Sequence, residues 1–241
     1  MNSILPFEVE ITSFNEYTEH ISSNIADIVQ QGLCLFRGQL VDKPLIPKIG
    51  RLAISDIKNF EKKLFRDFNK RYLAYTLKTY SNEWDLLALG QHFGLPTRLL
   101  DWTESALMAL WFATEKDIKE SHSVVWIFMP DEEDILEEKK STSPFETAST
   151  KVFSPNHISE RITAQSGWFT CHKLNEQGKF FRFEMLKKYN EKLQKLIIKK
   201  EAFSEIRVKL NTMGINSVTV YPDLIGLTRY LLWKHLKEER F

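Results

Sequence analysis

The stretch LALGQHFGLPTRLLDWTESALMALWFA at residues 87–113 places polar side chains between two strongly apolar segments. The polar residues at its centre are Gln91, His92, Thr97, Arg98 and Asp101. Charged groups seldom become fully buried unless they are paired. The stretch therefore predicts two buried helices joined by a polar connection, in which Arg98 and Asp101 bind either a ligand or each other.

Capping signals set the expected helix boundaries in this stretch. Asn82 is a good N-cap for a helix over residues 83–93, which Gly94 then ends. Asp101 and Glu104 match a D-x-x-E capping box and predict a second helix over residues 102–114. The free N–H groups at the start of that helix suit an anion, and an Asp101 that only caps the helix is the structural alternative.

A second informative stretch, LCLFRGQ at residues 33–39, is an apolar run that ends in an arginine. It predicts a buried strand over residues 33–36, which Gly38 then breaks. The Arg37 guanidinium can donate two parallel hydrogen bonds to a phosphate or carboxylate, and Gly38 would let a ligand approach the backbone. An internal ion pair of Arg37 with an acid such as Asp101 is the alternative. We expect Arg37, Arg98 and Asp101 to converge in one cleft, since each lies beside a break in an apolar element.

Two later positions are further candidates. The segment QSGWFT at residues 165–170 predicts a strand that forms a wall of a nucleotide pocket, with an aromatic ring against a base or nicotinamide. A strand with one face in the core is an equal interpretation. Asp223 follows the last predicted strand and can stabilise a cationic transition state. It can equally cap a helix that begins at Leu224.

Helical and strand-like patterns alternate irregularly along the rest of the chain, which predicts one α+β domain over residues 1–241 rather than a doubly wound sheet. The further helical patterns lie at residues 14–31, 55–80, 202–213 and 224–236. The further strand-like patterns lie at residues 8–13, 123–129, 160–172, 180–186, 196–199 and 217–221.

Composition excludes several classes of protein. The net charge of +1 points to no particular partner, although the basic run at residues 187–209 is either a solvated face or a weak nucleic-acid footprint. The two cysteines lack metal spacing and predict packed thiols in a cytoplasmic protein. The sequence contains no run of about 18 consecutive apolar residues, so we expect no membrane span. The usual phosphate-loop, dinucleotide-fold, zinc-protease and serine-hydrolase motifs are absent, and no metal site is predicted.

Taken in order, these motifs resemble the FRG domain family over about residues 30–230. The resemblance rests on Phe36-Arg37-Gly38, on the block QHFGLPTRLLDWT at residues 91–103, and on Tyr221-Pro222-Asp223. The matching positions between and around them are Gln39, Ala109, Phe112-Ala113, Arg161-Ile162, Gln165, Gly167, Phe169-Thr170, Gly214-Ile215-Asn216 and Leu224.

The order of motifs is also similar to that of ADP-ribosyltransferases of the arginine-serine-glutamate type. Those enzymes place an aromatic-Arg-Gly on a first core strand, a Ser/Thr strand in the middle and a catalytic Glu on a late strand. The chain has no E-x-E or Q-x-E at the late position, where Asp223 is the nearest acid.

This similarity implies a mixed central sheet flanked by helices, with NAD as the substrate. Arg37 and Asp223 would be catalytic. The implied nucleotide-binding residues are Arg37, Gly38, Gln39, Gln91, His92, Thr97, Arg98, Asp101, Gln165, Ser166, Gly167 and Phe169.

Such a protein would be a toxin or anti-phage effector that modifies a nucleic acid or protein, controlled by an antitoxin or another partner. Two other functions stay open. One is a non-catalytic module that binds a nucleotide or nucleic acid, and the other is a partner-binding scaffold whose buried polar residues are purely structural.

Overall fold

A mixed sheet of seven strands organises the computed structural model, which describes residues 6–26, 30, 32–139, 141–156 and 165–238. In chain order the strands are β1 (Phe7–Ile11), β2 (Leu35–Gln39), β3 (Leu99–Thr103), β4 (His122–Phe128), β5 (Lys151–Phe153), β6 (Gly167–Cys171) and β7 (Leu193–Lys199). They are arranged in the order β1-β7-β4-β2-β3-β6-β5, with β1 parallel to β7 and every other pair antiparallel. The predicted α+β class is confirmed.

Seven helices accompany the sheet within the described ranges. They are α1 (Phe14–Asn24), α2 (Ile57–Arg71), α3 (Glu83–His92), α4 (Ala106–Thr114), α5 (Phe203–Thr212), α6 (Ser217–Val220) and α7 (Leu224–Glu238). A short 3₁₀ turn, Lys48–Arg51, lies between β2 and α2. None of the described helices is long and apolar enough to cross a membrane.

The segment after Pro96 differs from the prediction. Leu99–Thr103 is strand β3, which pairs with β6 along its full length, and Asp101 is its exposed member. The helix cap is Ser105, whose hydroxyl accepts a hydrogen bond from the Met108 N–H at 3.2 Å. The predicted capping role of Asp101 is therefore wrong. A β-partner distant in the sequence outweighs a local capping pattern here.

Other predicted elements changed type or length. Residues 217–221, predicted as a strand, begin with helix α6, because Asn216 and Thr219 form a reciprocal capping box. Residues 180–186, also predicted as a strand, contain the 3₁₀ turn Phe183–Met185. Strand β6 begins only at Gly167, and residues 157–164 lie outside the described part. The predicted helix over 55–80 is shorter, since α2 ends at Arg71. In the predicted helix over 14–31, α1 ends at Asn24, Ala26 and Gln30 are again helical, and residues 27–29 and 31 lie outside the described part.

The main core lies between the sheet and helices α1, α4 and α5. Phe36, Ala109 and Leu196 are among its fully buried members. Cys34 and Cys171 are buried and not bonded to each other, and burial raises the pKa of each thiol to about 12. The prediction of packed thiols is confirmed.

Candidate functional site

The sheet opens between β2 and β3, and this opening forms the candidate site. β2 pairs with β4 at five positions, and β3 pairs with β6 at five, but β2 and β3 pair only at Phe36 and Thr103. The strands then diverge and leave a cavity of about 530 Å³. That volume lies in the usual range for small-molecule sites. The cavity is lined by Phe36, Arg37, Gly38, Ile46, Lys48, Arg51, Gln91, His92, Leu95, Leu99, Leu100, Asp101, Trp102, Thr103, Phe112, Gln165 and Tyr221.

Arg37 joins the two diverging strands through one of its nitrogens. Its Nη1 donates to the main-chain oxygen of Asp101 at 2.7 Å and lies 3.4 Å from Asp101 Oδ2. Its Nε is buried and has no hydrogen-bond partner, and Nη2 has none among the described residues. A guanidinium carries five N–H donors. Arg37 therefore keeps donors available for a further acceptor.

Two more cations line the cavity without a carboxylate partner among the described residues. Arg51 donates to the carbonyl oxygens of Ile46 and Pro44 at 2.9 and 3.0 Å. Lys48 donates to the carbonyl oxygen of Gly94 at 3.0 Å. Partial burial and then the charge of the nearby Arg37 lower the pKa of Arg51, and the Glu184 carboxylate opposes this shift without forming an ion pair with Arg51. Like charges have thus been brought close together, and an anion between them would relieve their repulsion.

Asp101 is the acidic residue among those that line the cavity, and its side chain is 61% exposed. Gln91 Nε2 donates to Asp101 Oδ1 at 2.5 Å. The Thr97 hydroxyl donates in turn to Gln91 Oε1. The site therefore combines three cations with one carboxylate that is held from two sides.

Arg37 and Asp101 line this cavity, but Arg98 does not. The expectation that all three residues converge in one cleft is therefore wrong for Arg98. Its side chain is 3% exposed, and the guanidinium donates to Glu61 at 2.6 and 3.0 Å and also to the Pro144 carbonyl. Glu61, on α2, also accepts the Arg98 main-chain N–H at 3.0 Å. Arg98 is a structural ion-pair residue in the present arrangement.

Three more sequence candidates serve mainly the packing of the fold. Gly38 borders the cavity, but its lack of a side chain makes room for α4: a Cβ there would lie 2.0 Å from the Ala109 carbonyl oxygen. Phe169 is buried with its ring stacked on Phe153 at 5.6 Å. Gln39 accepts a hydrogen bond from the Trp126 indole at 3.1 Å and does not line the cavity.

The later candidates are divided between the cavity and its surroundings. Gln165 lines the cavity and donates to the Val220 carbonyl at 3.1 Å. Ser166, with φ of +45°, and Gly167 follow it but are not lining residues. Asp223 is not a lining residue either, and its carboxylate accepts the Gly226 N–H at 2.9 Å, as expected of a cap for α7.

His92 lines the cavity with its ring set edge-on to Phe93 at 4.8 Å. Sequence reasoning missed Lys48, Arg51, Phe112 and Tyr221 as lining residues. Lys48 and Arg51 belong to a short irregular turn, where no periodicity indicates which way a side chain points. Their positive charge near Phe36-Arg37-Gly38 was the available signal.

A histidine, His172, is buried behind the cavity, next to Trp102 and Thr170. The Trp102 indole donates to the Thr170 hydroxyl at 2.9 Å, and His172 Nε2 lies within hydrogen-bond distance of the same hydroxyl, at 2.8 Å. Burial, together with the charges of Arg37 and Arg98, lowers the pKa of His172 from 6.5 to about 3. The folded protein therefore holds a neutral imidazole that the unfolded chain would protonate below pH 6.5.

We expect the free energy of unfolding to fall as the pH drops from about 6.5 towards 3, with His172 responsible for about 2 kcal/mol of the loss at pH 5. Denaturant titrations at pH 7.5 and pH 5 measure this loss. His172→Gln should show a shallower pH dependence, whatever its stability at pH 7.5. An equally steep dependence in the variant would mean that other groups cause the acid sensitivity.

The comparisons with known proteins identify one family. Residues 33–122 match the family model of the FRG domain, which confirms the family predicted from the sequence for this segment. The segment contains β2, the Lys48–Arg51 turn, α2, α3, β3 and α4, and therefore every lining residue except Gln165 and Tyr221. No curated protein and no solved structure matches the chain.

Proposed function

We propose that this FRG-domain chain binds a phosphate-bearing nucleotide in the cavity between β2 and β3, and that the nucleotide is NAD. The observation that carries the proposal is the cluster of Arg37, Lys48 and Arg51 around a cavity whose described lining includes one acidic residue, Asp101. Guanidinium groups match the geometry of phosphate oxygens, and the spare donors of Arg37 suit a pyrophosphate. Phe112 and Tyr221 supply aromatic surface for the rings of the ligand.

The reaction that this arrangement suits best is ADP-ribosyl transfer to a macromolecule. The bond between ribose C1′ and the nicotinamide nitrogen breaks, and its electron pair leaves with nicotinamide. The acceptor nucleophile bonds to C1′ and releases its proton to water. A carboxylate near C1′ would stabilise the positive charge that develops on the ribose. We assign that role to Asp101 rather than Asp223, because Asp101 lines the cavity and Asp223 does not.

One observation favours a second candidate, a module that binds a nucleotide without turnover. Both carboxylate oxygens of Asp101 already have partners, one in Gln91 and one in Arg37. A carboxylate that is satisfied in this way could serve only to hold Arg37 in place. Incubation with NAD labelled on its adenosine part separates the two functions. Free nicotinamide together with a labelled macromolecule supports the transferase, whereas binding without release supports the module.

The basic run at residues 187–209 gives little support to a nucleic-acid footprint. Most of its cations form ion pairs with carboxylates: Lys188, Lys192, Lys195, Lys199, Arg207 and Lys209. A nucleic acid, like a protein, therefore remains a proposed target of the transferase rather than a ligand of this run. As a transferase of this kind the chain would act in the cytoplasm as a toxin or anti-phage effector, with an antitoxin as its partner.

Arg37→Ala is the direct test of nucleotide binding. We expect its affinity for NAD to fall by about 10-fold or more, the value of a charge-assisted hydrogen bond. Arg51→Ala should show a loss in the same direction. Isothermal titration measures both affinities, and a melting curve on the same sample shows that the fold is retained.

Arg66→Ala is the matched control, since Arg66 is an exposed arginine on α2 that does not line the cavity. Its affinity for NAD should equal that of the wild type. An Arg37→Ala protein that melts normally and binds NAD as tightly as the Arg66→Ala control would contradict the proposed site.

A further inference from the structure

We infer that Thr97 is a positioning residue for the nucleotide site: its hydroxyl sets the amide of Gln91, which orients the Asp101 carboxylate that holds Arg37. The inference rests on the proposed function for its link to nucleotide binding. Thr97 is fully buried and does not line the cavity, so it would act only through Gln91.

The hydrogen bonds that connect Thr97, Gln91 and Asp101 fix which group donates and which accepts at each step. Ionised Asp101 can only accept, so the NH₂ group of Gln91 must face Oδ1, 2.5 Å away. The amide oxygen of Gln91 then faces Thr97, which must donate to it. The Thr97 oxygen receives the Leu99 N–H at 3.1 Å, which helps to direct the single hydroxyl proton to Gln91. A reversed amide would place two unprotonated oxygens against each other at Asp101.

The main chain of Thr97 is connected to the other side of the cavity. Its carbonyl oxygen accepts the Ile49 N–H at 3.4 Å, and Ile49 lies in the turn that carries Lys48 and Arg51. Residue 97 is therefore connected to Arg37 through its hydroxyl, Gln91 and Asp101, and to the turn that carries Lys48 and Arg51 through its carbonyl oxygen. A side-chain substitution removes only the first connection, which makes the role of the hydroxyl separable from that of the backbone.

The physical need for this chain follows from the exposure of Asp101. Its side chain is 61% exposed on a strand next to the opening, where a free carboxylate would sample several rotamers. Contacts from Gln91 and Arg37 select one of them. The carboxylate then adds a second contact to Arg37, at 3.4 Å, beside the 2.7 Å bond of Arg37 to the Asp101 main-chain oxygen. Because Arg37 is already oriented when a ligand arrives, less side-chain entropy is lost on binding.

The test compares Thr97→Val, which removes the hydroxyl at nearly constant volume, with Thr97→Ser, which keeps it. Without any ligand, the side-chain amide signals of Gln91 in a ¹H–¹⁵N spectrum should shift in Thr97→Val and stay near the wild-type position in Thr97→Ser. NAD affinity should fall by about three- to tenfold in Thr97→Val and recover in Thr97→Ser. Thr114→Val is the matched control, because this buried hydroxyl donates only to the Leu110 carbonyl of its own helix.

A double-mutant cycle with Arg37→Ala shows whether Thr97 acts through Arg37. In the Arg37→Ala background, Thr97→Val should cause little further loss of affinity. An equal loss in both backgrounds, or Gln91 signals that do not move, would overturn the inference. If NAD does not bind to the wild type, the proposed function fails, while the ligand-free spectra still support or overturn the positioning of Gln91.

Discussion

Replacing Gly38 with alanine is expected to lower the free energy of unfolding by about 3 kcal/mol or more, which exceeds the usual cost of overpacking by one methyl group. The added Cβ would lie 2.0 Å from the Ala109 carbonyl oxygen and 2.7 Å from the Ala113 nitrogen. Both are backbone atoms of α4, so no side-chain rotation relieves the clash. Either α4 or β2 must move away from the other. Urea unfolding of Gly38→Ala measures the cost.

Gly32→Ala is the control for this substitution. A Cβ at Gly32 meets no atom within 4 Å, and Gly32 does not have a positive φ. Its replacement should leave stability unchanged or raise it slightly, because alanine restricts the unfolded chain. If Gly38→Ala were as stable as Gly32→Ala and lost only NAD affinity, Gly38 would serve the approach of a ligand, as the sequence alone suggested, and not the packing of α4.

Glu61→Gln is expected to cost about 3–5 kcal/mol, because it leaves the Arg98 charge buried without a counter-charge. Glu61 and Arg98 have side chains only 2% and 3% exposed. The two Glu61 oxygens accept three hydrogen bonds from Arg98, from its main-chain N–H, Nε and Nη2. A glutamine would turn one of these oxygens into a donor that faces other donors. Chemical denaturation of the variant and the wild type at pH 7 gives the difference.

Glu146→Gln provides the comparison at the surface. Glu146 pairs with Lys62 at 3.7 Å, and the two side chains are 73% and 40% exposed. Its replacement should change stability by no more than about 0.5 kcal/mol. Equal small effects at Glu61 and Glu146 would show that Arg98 does not depend on Glu61, and would reopen Arg98 as a residue available to a ligand.

These two predictions reverse the roles that the sequence pattern favoured. Arg98 lies in the residue 91–103 block that carries the FRG resemblance and was one of the implied nucleotide-binding residues, yet its charge is neutralised inside the fold. Lys48 and Arg51 lie in an irregular segment without a recognisable pattern, yet they line the cavity. A motif shows which residues belong together in a family, but it does not separate those that hold the fold from those that face a ligand.

The sequence by itself determined the features that depend on neighbouring residues. Asn82 caps α3, as its side chain predicts, by accepting the Asp85 N–H at 2.8 Å. Gly94 ends that helix region with φ of +94°, a conformation that glycine adopts without strain. Leu35 and Phe36 of the predicted strand lie in β2, although Gly38 does not break that strand but pairs with Val125. The Phe36-Arg37-Gly38 and residue 91–103 motifs predicted the FRG domain, whose family model matches residues 33–122. Each of these conclusions needs only the chemistry of a few consecutive residues.

The tertiary structure alone decided which polar and charged groups of these segments became partners. Asp101 looked like a helix cap because Glu104 follows at the right spacing, but pairing of Leu99–Thr103 with β6 supplies a full ladder of main-chain bonds that a cap cannot match. Arg98 could have met any acid, and Glu61 reaches it only because α2 packs beside α3. Partners that are distant in the sequence leave no local pattern, so the cavity between β2 and β3 and its cations became visible only when the strands were placed side by side.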